Sequence, residues 1–80
     1  MLDLKEFGMR MVEGRKTMRM TQEALGELIG MSAGGVSAIE CAVNMPDLEL
    51  AVTIADALRV DLEWLCGYQD MMRRADSMEW

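Results

Sequence analysis

Eighty residues leave room for one hydrophobic core, and 51% hydrophobic with 28% charged residues is ordinary for a soluble globular chain. The sequence has no histidine and only two cysteines, Cys41 and Cys66, which matches no zinc-binding pattern and leaves no residue ready to act as a base near neutral pH. A net charge of −6 excludes indiscriminate attraction to polyanions, since phosphate contacts come from Lys and Arg. The charge is uneven: residues 1–45 hold five basic and six acidic groups, whereas residues 46–80 hold three and eight. No apolar run approaches the ~18 residues that a membrane span needs. The opening Met-Leu-Asp-Leu-Lys-Glu lacks the charged-then-apolar order of a secretory signal, so the expected compartment is the cytoplasm, with both thiols reduced.

The apolar spacing is helical throughout, and a single proline with few β-branched runs disfavours strands. A first helix is predicted over residues 3–17, with Leu4, Phe7, Met11 and Val12 on one face. Thr21 has the side chain of an N-cap, and Leu25, Leu28 and Ile29 follow at helical spacing, so residues 21–28 form a short second helix. Gly30 supplies the break, because glycine enters the left-handed region without a Cβ penalty. Ser32 is the next cap, and Val36 with Ile39 marks a third helix ending near Cys41. Residues 42–46 read as a loop. Asp47 then caps a fourth helix whose apolar face is Leu48, Ala51, Val52, Ala55 and Leu58. After a turn at Arg59 and Val60, Asp61 caps a fifth helix carrying Leu62, Trp64 and Leu65, and Gly67 ends it. The division is therefore a domain over residues 1–67 and a tail over 68–80, the latter either a short sixth helix or a frayed end.

Residues 21–32, Thr-Gln-Glu-Ala-Leu-Gly-Glu-Leu-Ile-Gly-Met-Ser, describe a helix, a glycine turn and a second capped helix. Such a corner can present its second helix to a major groove. With Val36-Ser37-Ala38-Ile39-Glu40, Pro46-Asp47-Leu48-Glu49 and the closing segment 60–67, the pattern resembles the Cro/repressor-type (XRE-like) helix-turn-helix family of phage and bacterial regulators. The resemblance implies an all-α, five-helix lambda-repressor-like DNA-binding domain. It further implies that Gln22, beside the cap Thr21, bonds a phosphate and braces a base-reading side chain. Arg15 and Glu40 match a family pair that joins across the core, and Gly26 stands where the family prefers alanine at the contact between the two motif helices. The base-reading positions fall on Ser32, Ala33, Gly34, Ser37 and Ala38.

Those positions depart from the family's habit. Base discrimination usually comes from Arg or Lys on guanine, or Asn or Gln on adenine, and none of these is present on the third helix. Alanine offers only a methyl contact to thymine, and serine bonds most bases without distinguishing them. Of the loop that follows, only Asn44 is a candidate phosphate donor, while Arg10, Lys16 and Arg19 are candidates from the first third of the chain. The expected function is a sequence-specific, repressor-like transcriptional regulator that binds a double-stranded DNA operator as a homodimer, without cofactor, metal or membrane. Leu62, Trp64, Met71, Met72, Met78 and Trp80 are the dimer candidates. The alternative is a protein-interaction module, antirepressor- or antitoxin-like, that keeps the fold with weakened DNA readout; the acidic back half and ten methionines fit it. Catalysis is not expected: neither cysteine has an activating neighbour in sequence, and carboxylates such as Glu23 and Glu27 fall on solvated helix positions.

Overall fold

The computed structural model describes residues 3–67. Its elements are all helices: α1 (Leu4–Thr17), α2 (Gln22–Ile29), α3 (Ala33–Glu40), α4 (Leu48–Leu58) and α5 (Leu62–Cys66). Each lies within two residues of its predicted span. The Met71, Met72, Met78 and Trp80 candidates and the proposed tail helix lie outside the described residues.

Side chains satisfy the free amides at four of the five helix starts. Asp3 Oδ1 accepts from Lys5 N and Glu6 N at 3.0 and 3.2 Å. Thr21 Oγ1 accepts from Ala24 N at 3.0 Å, Ser32 Oγ from Gly35 N at 3.1 Å, and Asp47 Oδ1 from Leu50 N at 2.8 Å. Asp61 occupies the cap position of α5 but its side chain makes no capping bond, so of the four predicted caps Thr21, Ser32 and Asp47 make the bond and Asp61 holds the position only, while Asp3, not among the predicted caps, caps α1. Acceptors at the other starts stabilise each helix by about 1 kcal/mol relative to alanine.

The core is drawn from every helix: Phe7 and Met11 from α1, Leu25 from α2, Val36 and Ile39 from α3, Ala51, Ile54, Ala55 and Leu58 from α4, and Leu65 from α5. Helix α1 packs on α3, α4 and α5, α2 packs on α3 and α4, and α4 also packs on α5. The apolar faces expected from spacing need four corrections. Leu28, Leu48 and Val52 are exposed, at 61, 73 and 41%. In α2 the inward positions belong to Leu25 and Ile29; Leu48 is the first residue of α4, and Val52 lies about 100° round the helix from Ala51. Ile54, absent from the predicted face, is fully buried instead. No helix among the described residues is long and apolar enough to cross a membrane.

Two glycines set how closely the helices meet. A Cβ on Gly8 in α1 would strike the backbone carbonyl of Glu40, and one on Gly26 in α2 would strike that of Met31. Mid-helix glycine costs about 1 kcal/mol against alanine, and here it permits two backbone contacts that any side chain would prop open. Both contacts place the ends of α3 relative to the rest of the molecule.

Candidate nucleic-acid interface

The corner between α2 and α3 is fixed by its own backbone. Gly30 adopts φ +74°, and the Met31 amide returns to the Gly26 carbonyl at 2.8 Å, closing α2 in a Schellman-type turn. Ser32 is extended and starts α3 at once. Helix α2 packs directly on α3, and Gly26 lets the backbone of the Met31–Ser32 turn lie against α2.

A buried polar knot ties this unit to α1. Arg15 Nε donates to Glu40 Oε2 at 2.8 Å and Arg15 Nη2 to Glu40 Oε1 at 3.2 Å, a two-point guanidinium–carboxylate pair. The pair is largely buried, with side-chain exposures of 13 and 4%. Arg15 Nη1 also donates to the Met20 carbonyl at 2.9 Å, which holds the α1–α2 turn. Gln22 Nε2 donates to Glu40 Oε1 at 2.9 Å. Arg15 and Glu40 thus form the expected structural ion pair. The Gln22 bond to the same carboxylate was not foreseen, because nothing in the spacing of residues 22 and 40 joins them.

The outward face of α3 and its flanks carries the remaining sequence-predicted residues. Ser32, Gly34 and Asn44 are exposed, while Ala33, Ser37 and Ala38 are half-exposed. A Cβ on Gly34 would meet nothing nearer than Ser32 Oγ at 3.9 Å, so that position opens to solvent. Thr21 is exposed, but its hydroxyl is engaged as the α2 cap. Lys16 and Arg19 are exposed at the end of α1 and in the turn leading to α2, close in sequence to Gln22. No Lys or Arg occurs in residues 41–58, and the start of α4 carries Asp47 and Glu49.

Arg10 does not join this group. It lies roughly opposite Gly8 and Arg15 on α1, two residues that meet Glu40 of α3. Its guanidinium pairs with Glu6 at 2.9 Å, donates to the Trp64 carbonyl and sits over the Trp64 ring at 5.7 Å. These contacts bind α1 to α5 and account for Arg10 as a structural residue. Trp64 and Leu62, two of the dimer candidates, are half-buried and pack against the core of their own chain. Cys41 is exposed at the end of α3; Cys66 is half-buried, and burial pushes its thiol pKa up.

Comparison with known proteins gives the same frame. The helix-turn-helix family model matches residues 13–65. The chain is 34% identical over 58 residues to the cryptic phage CTXphi transcriptional repressor RstR of Vibrio cholerae serotype O1, covering 72% of this chain and 52% of that protein. It therefore spans about half the length of that relative. It is similar to the restriction-modification controller protein C.AhdI from Aeromonas hydrophila, with a TM-score of 0.74 and 30% identity over 79% of this chain and 96% of that one. It is also similar to the P22 c2 repressor, solved in complex with a synthetic operator, with a TM-score of 0.70 and 29% identity over 74% of this chain and 89% of that one. An all-helical domain with this α2–α3 corner, matched across residues 13–65, belongs to the Cro/repressor-type helix-turn-helix family of phage and bacterial transcriptional regulators.

Proposed function

We propose that the chain is a sequence-specific DNA-binding regulator of the repressor kind, acting as a homodimer with α3 in the major groove. The observation that carries this reading is the outward face of α3, where Ser32 and Gly34 are exposed, with Gln22 bonded to Glu40 at the end of that helix and Lys16 and Arg19 exposed shortly before Gln22 in the chain. Two relatives support it, one named a transcriptional repressor and one solved on operator DNA. In this arrangement Lys16, Arg19, Gln22 and Asn44 hold the phosphate backbone, which fixes register without reading sequence. Ser32, Ala33, Ser37 and Ala38 then approach base edges. With Gly34 between them, the helix can settle deeper than one bearing long side chains, and groove shape carries much of the selectivity. Arg10 is left out of the phosphate-binding set.

The test is a titration of DNA duplexes across salt. Two exposed cations on each of two protomers imply about four neutralised phosphates, hence roughly a hundredfold loss of affinity between about 50 and about 200 mM salt. Sedimentation at the same protein concentrations should show a dimer on the duplex. Affinity that stays weak at low salt and does not respond to salt would refute the reading.

A second reading has its own observation. Val43, Met45, Leu48 and Val52 are exposed hydrophobics running from the α3–α4 loop onto α4, and Asp47 and Glu49 lie among them. An apolar, acidic surface of this kind suits a protein partner better than a phosphate backbone. The salt titration separates the two readings, because a protein-interaction module has no reason to release counterions from DNA.

A further inference from the structure

Gln22 and Glu40 lie at the beginning of α2 and the end of α3, 18 residues apart, yet their side chains meet at 2.9 Å. The Glu40 side chain is only 4% exposed and is also held by Arg15. A carboxylate only accepts hydrogen bonds, so the edge of the Gln22 amide that faces it has to be the nitrogen. A terminal amide otherwise rotates between broad, nearly equivalent orientations. The bond to Glu40 removes that freedom. One N–H of Nε2 is used inward, leaving the second N–H and the carbonyl oxygen of Gln22 without a partner among the described residues. The backbone amides of Gln22 and Glu23 at the helix start also have no intrahelical acceptor.

We propose that Glu40 is a positioning residue for DNA binding: it pins the Gln22 amide so that its second N–H is presented to a phosphate oxygen. Glu40 does not touch DNA. This rests on the DNA-binding reading above and adds to it a negatively charged residue that strengthens binding to a polyanion. Simple electrostatics acts in the opposite sense. Neutralising Glu40 raises the net charge by one beside the α2 start and releases Arg15 from its partner, and both changes would tighten binding.

The experiment compares the full chain with Glu40→Gln, Gln22→Ala and the double variant. Each is titrated with a random-sequence duplex at low salt and with the best duplex selected from a randomised pool. Glu40→Gln keeps the shape and one acceptor for Arg15, and binding is measured well below the melting temperature of every variant. Glu40→Gln should weaken binding by roughly three- to tenfold despite the lost negative charge, as for one hydrogen bond. The double variant should bind no worse than Gln22→Ala alone. The salt slope should be unchanged, because a neutral amide releases no counterion. Binding by Glu40→Gln that equals or exceeds the parent overturns the proposal, as does a double variant whose loss is the product of the two single losses. A general loosening of the fold would give that product, so it is distinguished from positioning. A second measurement needs no variant at Glu40. In the parent protein, one of the two Gln22 side-chain amide protons should be shifted downfield before DNA is added and stay there, while the other moves on binding. Two amide protons that respond together overturn the proposal. Absence of any duplex binding at low salt removes the DNA reading and this role together, whereas binding with multiplicative losses removes only the role of Glu40.

Discussion

Gly34 and Gly26 are both helical glycines, and their surroundings give opposite expectations for the same substitution. At Gly34 a new methyl points into open space. Gly34→Ala should therefore stabilise the domain by about 0.5–1 kcal/mol, seen as a higher urea midpoint at unchanged slope. At Gly26 the methyl meets the Met31 carbonyl, and backbone rather than a movable side-chain tip has to yield. Gly26→Ala should lose about 1–3 kcal/mol in the same measurement. Arg10 gives a residue-scale test of function. Arg10→Ala removes the Glu6 pair and the Trp64 contacts, so about 1–2 kcal/mol of stability should be lost. DNA affinity measured below the melting transition should stay within twofold or so if Arg10 makes no phosphate contact. The two thiols should also differ. The raised pKa and partial burial of Cys66 make it the slower to react with a disulfide reagent near pH 8, with its rate still climbing at more alkaline pH. A folded-state pKa raised above the unfolded value means that this group favours folding below the unfolded pKa. The benefit fades as pH rises through the folded one.

At the scale of elements, most helix starts were readable, and so were the ends that glycine marks, Gly30 and Gly67, both left-handed C-caps; the geometry of the other ends was not. Thr21, Ser32 and Asp47 announce themselves as caps by side-chain chemistry, and each makes the expected bond. The ends share one geometry: Met20 N to Arg15 O, Met31 N to Gly26 O, Val43 N to Ala38 O and Val60 N to Ala55 O all span five residues. Each requires a left-handed residue just beyond the helix. Only α2 of these four places a glycine there; the others use Arg19, Ala42 and Arg59 at φ 57, 62 and 58°. A non-glycine residue costs about 1 kcal/mol or more in that conformation, and in each case the backbone bond that closes the helix end accompanies it. Ala42→Gly should recover about 0.5–1 kcal/mol, measured as a rise in the urea midpoint. No sequence signal marks Arg19 or Ala42 as turn residues, since neither type favours φ above zero.

For the whole molecule, the buried knot of Arg15, Glu40 and Gln22 is the joint on which the α2–α3 unit is hung from α1. Removing one partner leaves a nearly inaccessible charge uncompensated, so Arg15→Ala should lose about 3–5 kcal/mol, read from the shift of the thermal transition. That is a large part of the stability expected for a domain of this size. The family pattern made Arg15 and Glu40 readable as a pair and Gln22 readable as a contact residue. It did not join them, because hydrogen bonding between residues 22 and 40 exists only once α2 and α3 are set at their packing angle. The contacts of Arg10 with Glu6 and Trp64 were not legible in the sequence for a related reason. A basic residue on an early helix has no sequence feature that says which side of that helix α5 will cover.

Among the described residues, helix order, the caps Thr21, Ser32 and Asp47, most of the core and the position of the corner followed from residue spacing and side-chain type alone. These are local properties: a helical period and a cap act within a turn or two of chain. Which apolar residues stay outside, which arginine is spent on the fold and which way the Gln22 amide faces were decided by tertiary contacts. The last two rest on side-chain contacts between residues 18 or more apart in the chain, Gln22 and Arg15 with Glu40 and Arg10 with the Trp64 carbonyl. The open face of α3 belongs to both levels: its small side chains are written in the sequence, and its exposure is a consequence of how the other helices pack behind it.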